Sequence, residues 1–533
     1  MSAAASESQD IETVTTAVST NPGRRGQPDN KTRRYDRQLR LWAATGQAAL
    51  ESSRILVIGA SATSTSILKN LVLPGIGHFT ILDHHSVTPE DAGNNFFLEG
   101  PKSIGKRRAD EAVRLLAELN DSVEGRADHR NVEEVLNSNP QYFLEFNVVI
   151  AHNMQPALVD KLAKYLWSEP SHPIMMVVRS AGFVSEFFIQ FHEHSIIESH
   201  SETTPSLRID KPFPELHAHA MSIDFEKMDP TEHAHVPYVV ILVSALEDWK
   251  KSHGGNPPKT YAEKQQFKKR IQGMRRKPDE ENFEEAEAQA YRAWTETTVP
   301  SEISALFKDS GLSSLTPSSP PFFQLLSALQ KFTQESPHTL PLTSTLPDMR
   351  SDTKSYIHLQ TLYKRQAEEE KAKFKSLISE DVRETIGDEM IDLFVKNAHA
   401  LVVMRGREWG SFDQDRAALA MDPSGKETAK LATHLAFSAL SSLTLQHQTP
   451  TVAALKAEVE RIAGTDVELP EEQLDAAVGE VARAPTADLP NMAAFLGGMV
   501  AQETIKMITR QYVPQKGYLV IDMVDMWTGA VGA

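Results

Sequence analysis

Gly59, Ser61, Ser64 and Asp83 are the residues whose types and spacing come nearest to a nucleotide site. In a dinucleotide fingerprint, three glycines let the chain turn tightly, approach a pyrophosphate and pack helix on strand. An acid about 20 residues later takes the ribose hydroxyls. Here Gly59 supplies the turn and Asp83 stands where the acid is expected, but Ser61 and Ser64 fill the second and third glycine positions. Their side chains would crowd the phosphate approach, so the spacing predicts a nucleotide-binding fold that has lost its own nucleotide. Farther on, Lys106 and Arg108 follow Gly105 at a predicted helix start, where N–H groups and cations suit an anion. Facing a cleft without a nucleotide, they read as solvated charges or interface groups.

Two further sets of residues carry chemistry. His217, His219, His233 and His235 make two His-x-His pairs, and a strand would put each pair on one face. Structural zinc wants four matched ligands, no cysteine accompanies these histidines, and their Pro and acidic flanks suggest loops, so no metal site is assigned to them. Arg37 lies on an amphipathic helical arm, Tyr35 to Trp42, beside Asp36. Taken by itself it is a solvated arginine in a surface ion pair worth about 0–1 kcal/mol.

These residues need a scaffold, and the hydrophobic pattern supplies one. Ile55–Ile58 reads as a strand, Ile67, Leu68, Leu71 and Val72 mark a helix that Pro74-Gly75 stops, and Phe79–Leu82 is the next strand. A helix from Gly105 to about Leu119, a strand Phe146–Ile150, a helix Pro156–Trp167 and a strand Pro173–Val178 continue the alternation. The expected class is therefore α/β, a Rossmann-like domain with a mainly parallel sheet. Phe183–Phe191 reads as an added strand or hairpin. Over residues 201–485 helical segments dominate, including Pro237–Lys251, Tyr261–Arg276, Glu280–Thr297, Pro321–Thr333, Lys354–Ile378 and Glu427–Leu443, which predicts a large helical insertion. Within it Glu368-Glu369-Glu370 reads as a solvated, ion-paired helix face. Residues 486–533 return to α/β character: a helix Ala493–Ile508, whose Gly497-Gly498 predicts close helix–sheet packing, and a strand Tyr518–Asp522 that completes the first domain.

Composition narrows the function classes. The chain has 533 residues, is 40% apolar and carries a net charge of −17, which argues for protein partners and against a general nucleic-acid binder. No apolar run reaches the roughly 18 residues that span a bilayer. Residues 1–30, rich in Ser, Ala and Thr with interspersed acids, read as a disordered tail, and the expected location is cytoplasmic and nuclear. There is no cysteine, so the chain itself has no disulfide, thiolate nucleophile, thioester or cysteine-ligated metal.

Several stretches, in one order along the chain, resemble the activating enzymes for ubiquitin and its relatives: Tyr35–Trp42, Leu73–Gly77, Gly93–Leu98, Gly105–Arg108 and Ala494–Glu503. The turn at Gly59, with Asp91–Leu98, Leu207–Leu216, Asp279–Glu285 and Leu346–Met349, is similar to the regulatory subunits of the heterodimeric neddylation-activating enzymes. The regulatory half of the SUMO-activating enzyme is the runner-up, and the insertion and Leu207–Leu216 match it less well. A dinucleotide-dependent oxidoreductase and a scaffold retaining a dead nucleotide fold are the rivals outside the family.

The resemblance implies a heterodimer of two adenylation folds in which only the partner's is competent. The partner would bind ATP, magnesium and zinc, adenylate the ubiquitin-like modifier and hold the catalytic cysteine. The insertion here would take the place of the cysteine-bearing region. Active relatives have a second acid where this chain has His85, an arginine near Asn95 and an aspartate near Asn153, so the resemblance marks the cleft of Gly59, Ser61, Ser64, Asp83, His85 and Asn95 as pseudo-active. It also implies that Arg37 reaches across the dimer to the partner's ATP as an arginine finger.

Overall fold

The computed structural model describes residues 30–200, 204–313, 315–316, 318–420, 428–464, 467 and 469–533, so the tail expected over residues 1–30 lies outside the described residues apart from Asn30. The chain divides into two units, Met1–Ile196 with Val403–Ala533, and Ile197–Val402.

The first unit is built on an eight-stranded sheet. Helix α1 (Asp36–Glu51) leads into β1 (Arg54–Ile58), α2 (Ala62–Val72) and β2 (His78–Leu82). Then come α3 (Arg108–Ala117), β3 (Glu124–Asp128), β4 (Val148–His152), α4 (Pro156–Trp167), β5 (Ile174–Ala181) and β6 (Val184–Gln190). After the second unit follow α5 (Thr428–Leu445), α6 (Val452–Ala463), α7 (Glu471–Arg483), α8 (Pro490–Thr509), β7 (Tyr518–Asp522) and β8 (Trp527–Val531). The strand order is β8-β7-β6-β5-β4-β1-β2-β3. β3, β2, β1, β4 and β5 are parallel, and β6, β7 and β8 extend the sheet antiparallel. β7, the strand that the hydrophobic pattern predicts over Tyr518–Asp522, joins this sheet beside β6, and β8 adds an edge strand to it.

Burial explains why β1 is an unbroken apolar run. Ile55 and Val57 enter one core with α2 and α8, while Leu56 and Ile58 enter another with α4, so both faces of the strand are dry. β3 and β8 are the strands of this sheet that the pattern did not announce; in β3, Glu-Gly-Arg-Ala-Asp has no apolar run because it lies at the sheet edge, held in register by β2.

Two expectations about this unit need correction. The helical insertion was expected to end at residue 485, but the second unit ends at Val402. Helices α5, α6 and α7 bury Leu435, Val459 and Val478 against Phe188 and Tyr518 of the antiparallel strands. Gly497 does pack closely, yet against a helix rather than the sheet: a Cβ there would lie 2.2 Å from Ser66 Oγ on α2, whereas Gly498 faces open space.

The second unit is helical, with Pro214–Ser222, Tyr238–Ser252, Tyr261–Met274, Glu281–Ala288, Pro321–Gln334, Thr353–Ser376 and Asp388–Lys396. Its core centres on Tyr238–Leu246, buried all round. Glu370 is not on a solvated face. It is buried and forms a two-pronged pair with Arg208, at 2.6 and 2.7 Å, and accepts the Leu342 N–H.

Candidate functional site

The cleft lies at the C-terminal ends of the paired strands β1 and β4, the place at which doubly wound sheets bind ligands. A cavity of about 590 Å³ opens there, lined among others by Gly59, Asp83, His85, Arg108, His152 and Asn153. Gly59 has φ +85° and no neighbour that a Cβ would strike, so glycine is needed for the backbone turn alone.

The groups at the start of α2 and at the end of β2 are engaged within the chain. At the start of α2 the Ser61 hydroxyl caps the helix, accepting the Ser64 N–H at 3.1 Å, and bonds His152 Nδ1 at 2.8 Å. The Asp488 carboxylate takes the Thr63 N–H at 3.0 Å and the Thr63 hydroxyl at 2.6 Å. A helix N-terminus that would suit a phosphate therefore already holds an anion. His152 is fully enclosed: its Nε2 meets Ser180 Oγ at 2.9 Å, and burial holds its pKa below the ordinary imidazole value despite Asp488.

Asp83 sits at the end of β2 with its side chain 1% exposed. One oxygen accepts the Ala60 N–H at 2.8 Å and Arg108 Nε at 2.7 Å. The other takes the His85 N–H at 2.9 Å and its Nδ1 at 2.8 Å. Burial pushes this carboxyl up, but the Arg108 charge and the hydrogen bonds outweigh it and hold it below the ordinary carboxylate value. The expectation that Arg108 is a solvated or interface charge is thus corrected: it is an internal counter-ion, also 2.9 Å from Asp91. Lys106 is half exposed and pairs with Glu111 at 3.3 Å.

Asn95 and Asn153 are tied inward. Asn95 is buried, accepts from Thr65 Oγ1 and the Phe97 N–H, and donates to the Ala60 carbonyl. Asn153 accepts the Ser180 N–H and donates to the Ser180 and Thr486 carbonyls. The residues that the sequence did not single out are His152, Thr63, Ser180 and Asp488. Asp488 lies 425 residues from Thr63, and no local pattern announces such a contact.

His217 and His219 lie on one helix, His233 ends another and His235 is in the turn after it, so none of the four is on a strand. His217 and His219 are two apart on Pro214–Ser222 and so point to different sides. His217 faces Glu247 at 3.6 Å and His219 meets the His358 ring. His233 is buried with Nδ1 on Glu280, and His235 Nδ1 bonds the Thr231 carbonyl. The cluster of possible metal ligands among the described residues is Asp83, His84 and His85, and there both Asp83 oxygens are already taken.

Arg37 stands apart from the cleft's network. It is exposed, and its side chain has no hydrogen bond or ion pair among the described residues. Its expected partner, Asp36, pairs instead with Arg40 at 3.2 Å.

A glycine turn between β1 and α2 on a β3-β2-β1-β4-β5 parallel core, with an acid closing β2, is the arrangement of a ThiF-type adenylation fold, and residues 35–153 match the ThiF family. Over nearly its full length the chain is similar to proteins described as NEDD8-activating enzyme E1 regulatory subunits. The one from Xenopus laevis is 36% identical, the match covering 91% of this chain and 95% of that one. The one from Gallus gallus is 37% identical, with 92% and 96% covered. The Arabidopsis thaliana subunit AXR1 is 32% identical, with 92% and 94% covered. The chain belongs to the family of NEDD8-activating enzyme E1 regulatory subunits.

Proposed function

We propose that this chain is the regulatory, non-catalytic half of a heterodimer that activates NEDD8, the ubiquitin-like modifier of the neddylation pathway. A cysteine-bearing partner supplies the competent adenylation site, with ATP and magnesium, a zinc site and the thioester-forming thiol. This chain has no cysteine with which to accept the thioester. The relatives reported above carry the NEDD8 name, which favours this reading over a SUMO-activating subunit. The expected compartments are cytoplasm and nucleus; among the described residues no helix is long and apolar enough to cross a membrane.

The observation that carries the pseudo-active assignment is the engagement of the cleft by its own side chains. A triphosphate at the α2 N-terminus would meet the Asp488 carboxylate, and a ribose at Asp83 would have to displace Arg108 and two N–H donors. Both exchanges leave buried charge unpaired, so these residues do not fit a bound nucleotide.

The contribution to chemistry comes from Arg37. An exposed guanidinium without an internal partner is available to a neighbouring subunit, where it would stabilise charge developing on the phosphates during adenylation. ATP–pyrophosphate exchange with NEDD8 tests both points, run with this chain alone, the partner alone and the mixture. Activity is expected in the mixture only, and Arg37→Ala is expected to leave assembly intact while lowering exchange at least about tenfold. Exchange by this chain alone would overturn the pseudo-active assignment, and full exchange with Arg37→Ala at saturating ATP and NEDD8 would overturn the role of Arg37.

A further inference from the structure

The turn that carries Arg37 is tied at both ends, while Arg37 itself is not. On its N-terminal side, Tyr35 is 2% exposed and its hydroxyl accepts a hydrogen bond from Asn120 Nδ2 at 2.9 Å. The same Asn120 amide donates to the Val72 carbonyl, and its oxygen accepts from Arg34 at 2.7 Å. The Tyr35 ring lies against Gly75, where a Cβ would stand 2.6 Å from the hydroxyl, so the glycine leaves room for the aromatic anchor.

On the C-terminal side the helix breaks at Trp42 and Ala43, and Ala43 takes φ +54°. An alanine in the left-handed region is strained, and such strain persists only where surrounding contacts impose it. Those contacts are present. The Trp42 carbonyl accepts from Gln511 Nε2 at 3.0 Å, and Gln511 is buried. The Trp42 indole donates to Gln47 Oε1 at 3.1 Å, and Gln47 Nε2 in turn donates to the Pro74 carbonyl at 3.0 Å. A short helical segment is thereby clamped to the end of α2 on one side and to the residues after α8 on the other.

We infer that Tyr35 and Gln511 are positioning residues for adenylation: they fix the Arg37 turn so that its guanidinium enters the partner's nucleotide site already aimed. This rests on the reading of Arg37 given above. The physical reason is preorganisation. An arginine on a frayed arm would have to order its backbone during the reaction, whereas a clamped turn leaves only the side chain to settle. The strain at Ala43 fits a clamp that sets direction rather than one that merely adds stability.

The test is a double-mutant cycle in the reconstituted heterodimer, with Gln511→Ala and Tyr35→Phe each made alone and in the Arg37→Ala background. Subunit affinity and thermal midpoint are recorded for every variant, and Tyr35→Phe keeps the packed ring while removing the bond to Asn120. Gln511→Ala is expected to lower the adenylation kcat about tenfold, as small misplacements of a reacting group do, with the KM for ATP little changed. In the Arg37→Ala background the same substitution is expected to cost nothing further, because the group it positions is gone. An equal loss in both backgrounds would show a structural role and overturn the inference. So would full kcat in both single variants while Arg37→Ala is impaired. Full activity of Arg37→Ala itself would sink the underlying reading instead, and the clamp's purpose with it.

Discussion

Arg108 and Asp83 form a buried pair in the cleft at the C-terminal end of β2. Removing the guanidinium as Arg108→Ala leaves a carboxylate that is 1% exposed facing two N–H groups and one imidazole. Breaking a buried pair from one side costs about 3 kcal/mol or more, because the remaining charge stays desolvated. The pH dependence fixes the attribution. The folded-state pKa of Asp83 is held below its ordinary value, so the pair's contribution is complete above the unfolded value of about 4 and is lost as pH falls through the folded one. Urea unfolding should therefore show a gap between wild type and Arg108→Ala at pH 7 that narrows as the pH drops below about 4. A gap of constant size would mean that the arginine acts through packing of its stem. The acid at the end of β2 was legible in the sequence, but its counter-ion was not, since Arg108 lies 25 residues away across two short helical turns and their loops.

At the scale of elements, legibility followed burial. The runs of β1, β2 and β4 and the amphipathic spacing of α2 and α4 could be read because each buries whole faces. The edge strands β3 and β8 and the helices α6 and α7 escaped: β3 is polar because it has one neighbour, whereas α6 and α7 did carry boundary signals, Gly464 ending the first and Pro470 preceding the second. The boundary at Val402 is hidden for a related reason, since helices that cover the antiparallel strands look the same in sequence as helices of an insertion. The adjacent glycines of α8 give a direct test of element packing. Gly497→Ala would drive a Cβ into Ser66, 2.2 Å from its Oγ and 2.8 Å from its carbonyl carbon. Such overpacking costs about 1–3 kcal/mol. Gly498→Ala meets nothing within 4 Å and should stabilise α8 by up to about 1 kcal/mol through helix propensity. Opposite shifts of the thermal midpoint in these neighbours would confirm α2–α8 contact as the reason for Gly497; equal shifts would place the constraint elsewhere.

Across the whole first unit, the parallel core and the antiparallel extension are joined by a buried set of charges. Arg179 on β5 and Glu186 on β6 are cross-strand partners, with Arg179 Nε 2.7 Å from the carboxylate. His434 on α5 reaches the same Glu186 with Nδ1 at 2.9 Å and Asp413 with Nε2 at 2.7 Å, and its side chain is wholly buried. Two carboxylates against one arginine are uncompensated unless the imidazole is protonated. Burial pulls the His434 pKa down, but Asp413 and Glu186 overcome it and raise the value to about 9. A group whose folded pKa is raised stabilises the fold fully below its unfolded value of about 6.5, and that contribution is lost as pH rises through about 9. His434→Gln is therefore expected to cost about 3 kcal/mol at neutral pH, the penalty for leaving the buried Glu186 and the partly exposed Asp413 without their shared cation. The cost should shrink between pH 7 and pH 10, as the wild type surrenders the charge that the variant never had. Denaturant unfolding of both proteins across that range decides it: converging curves place a charged His434 at the join of α5 with the sheet, whereas parallel curves would mean that the imidazole is neutral and holds the join by hydrogen bonds alone.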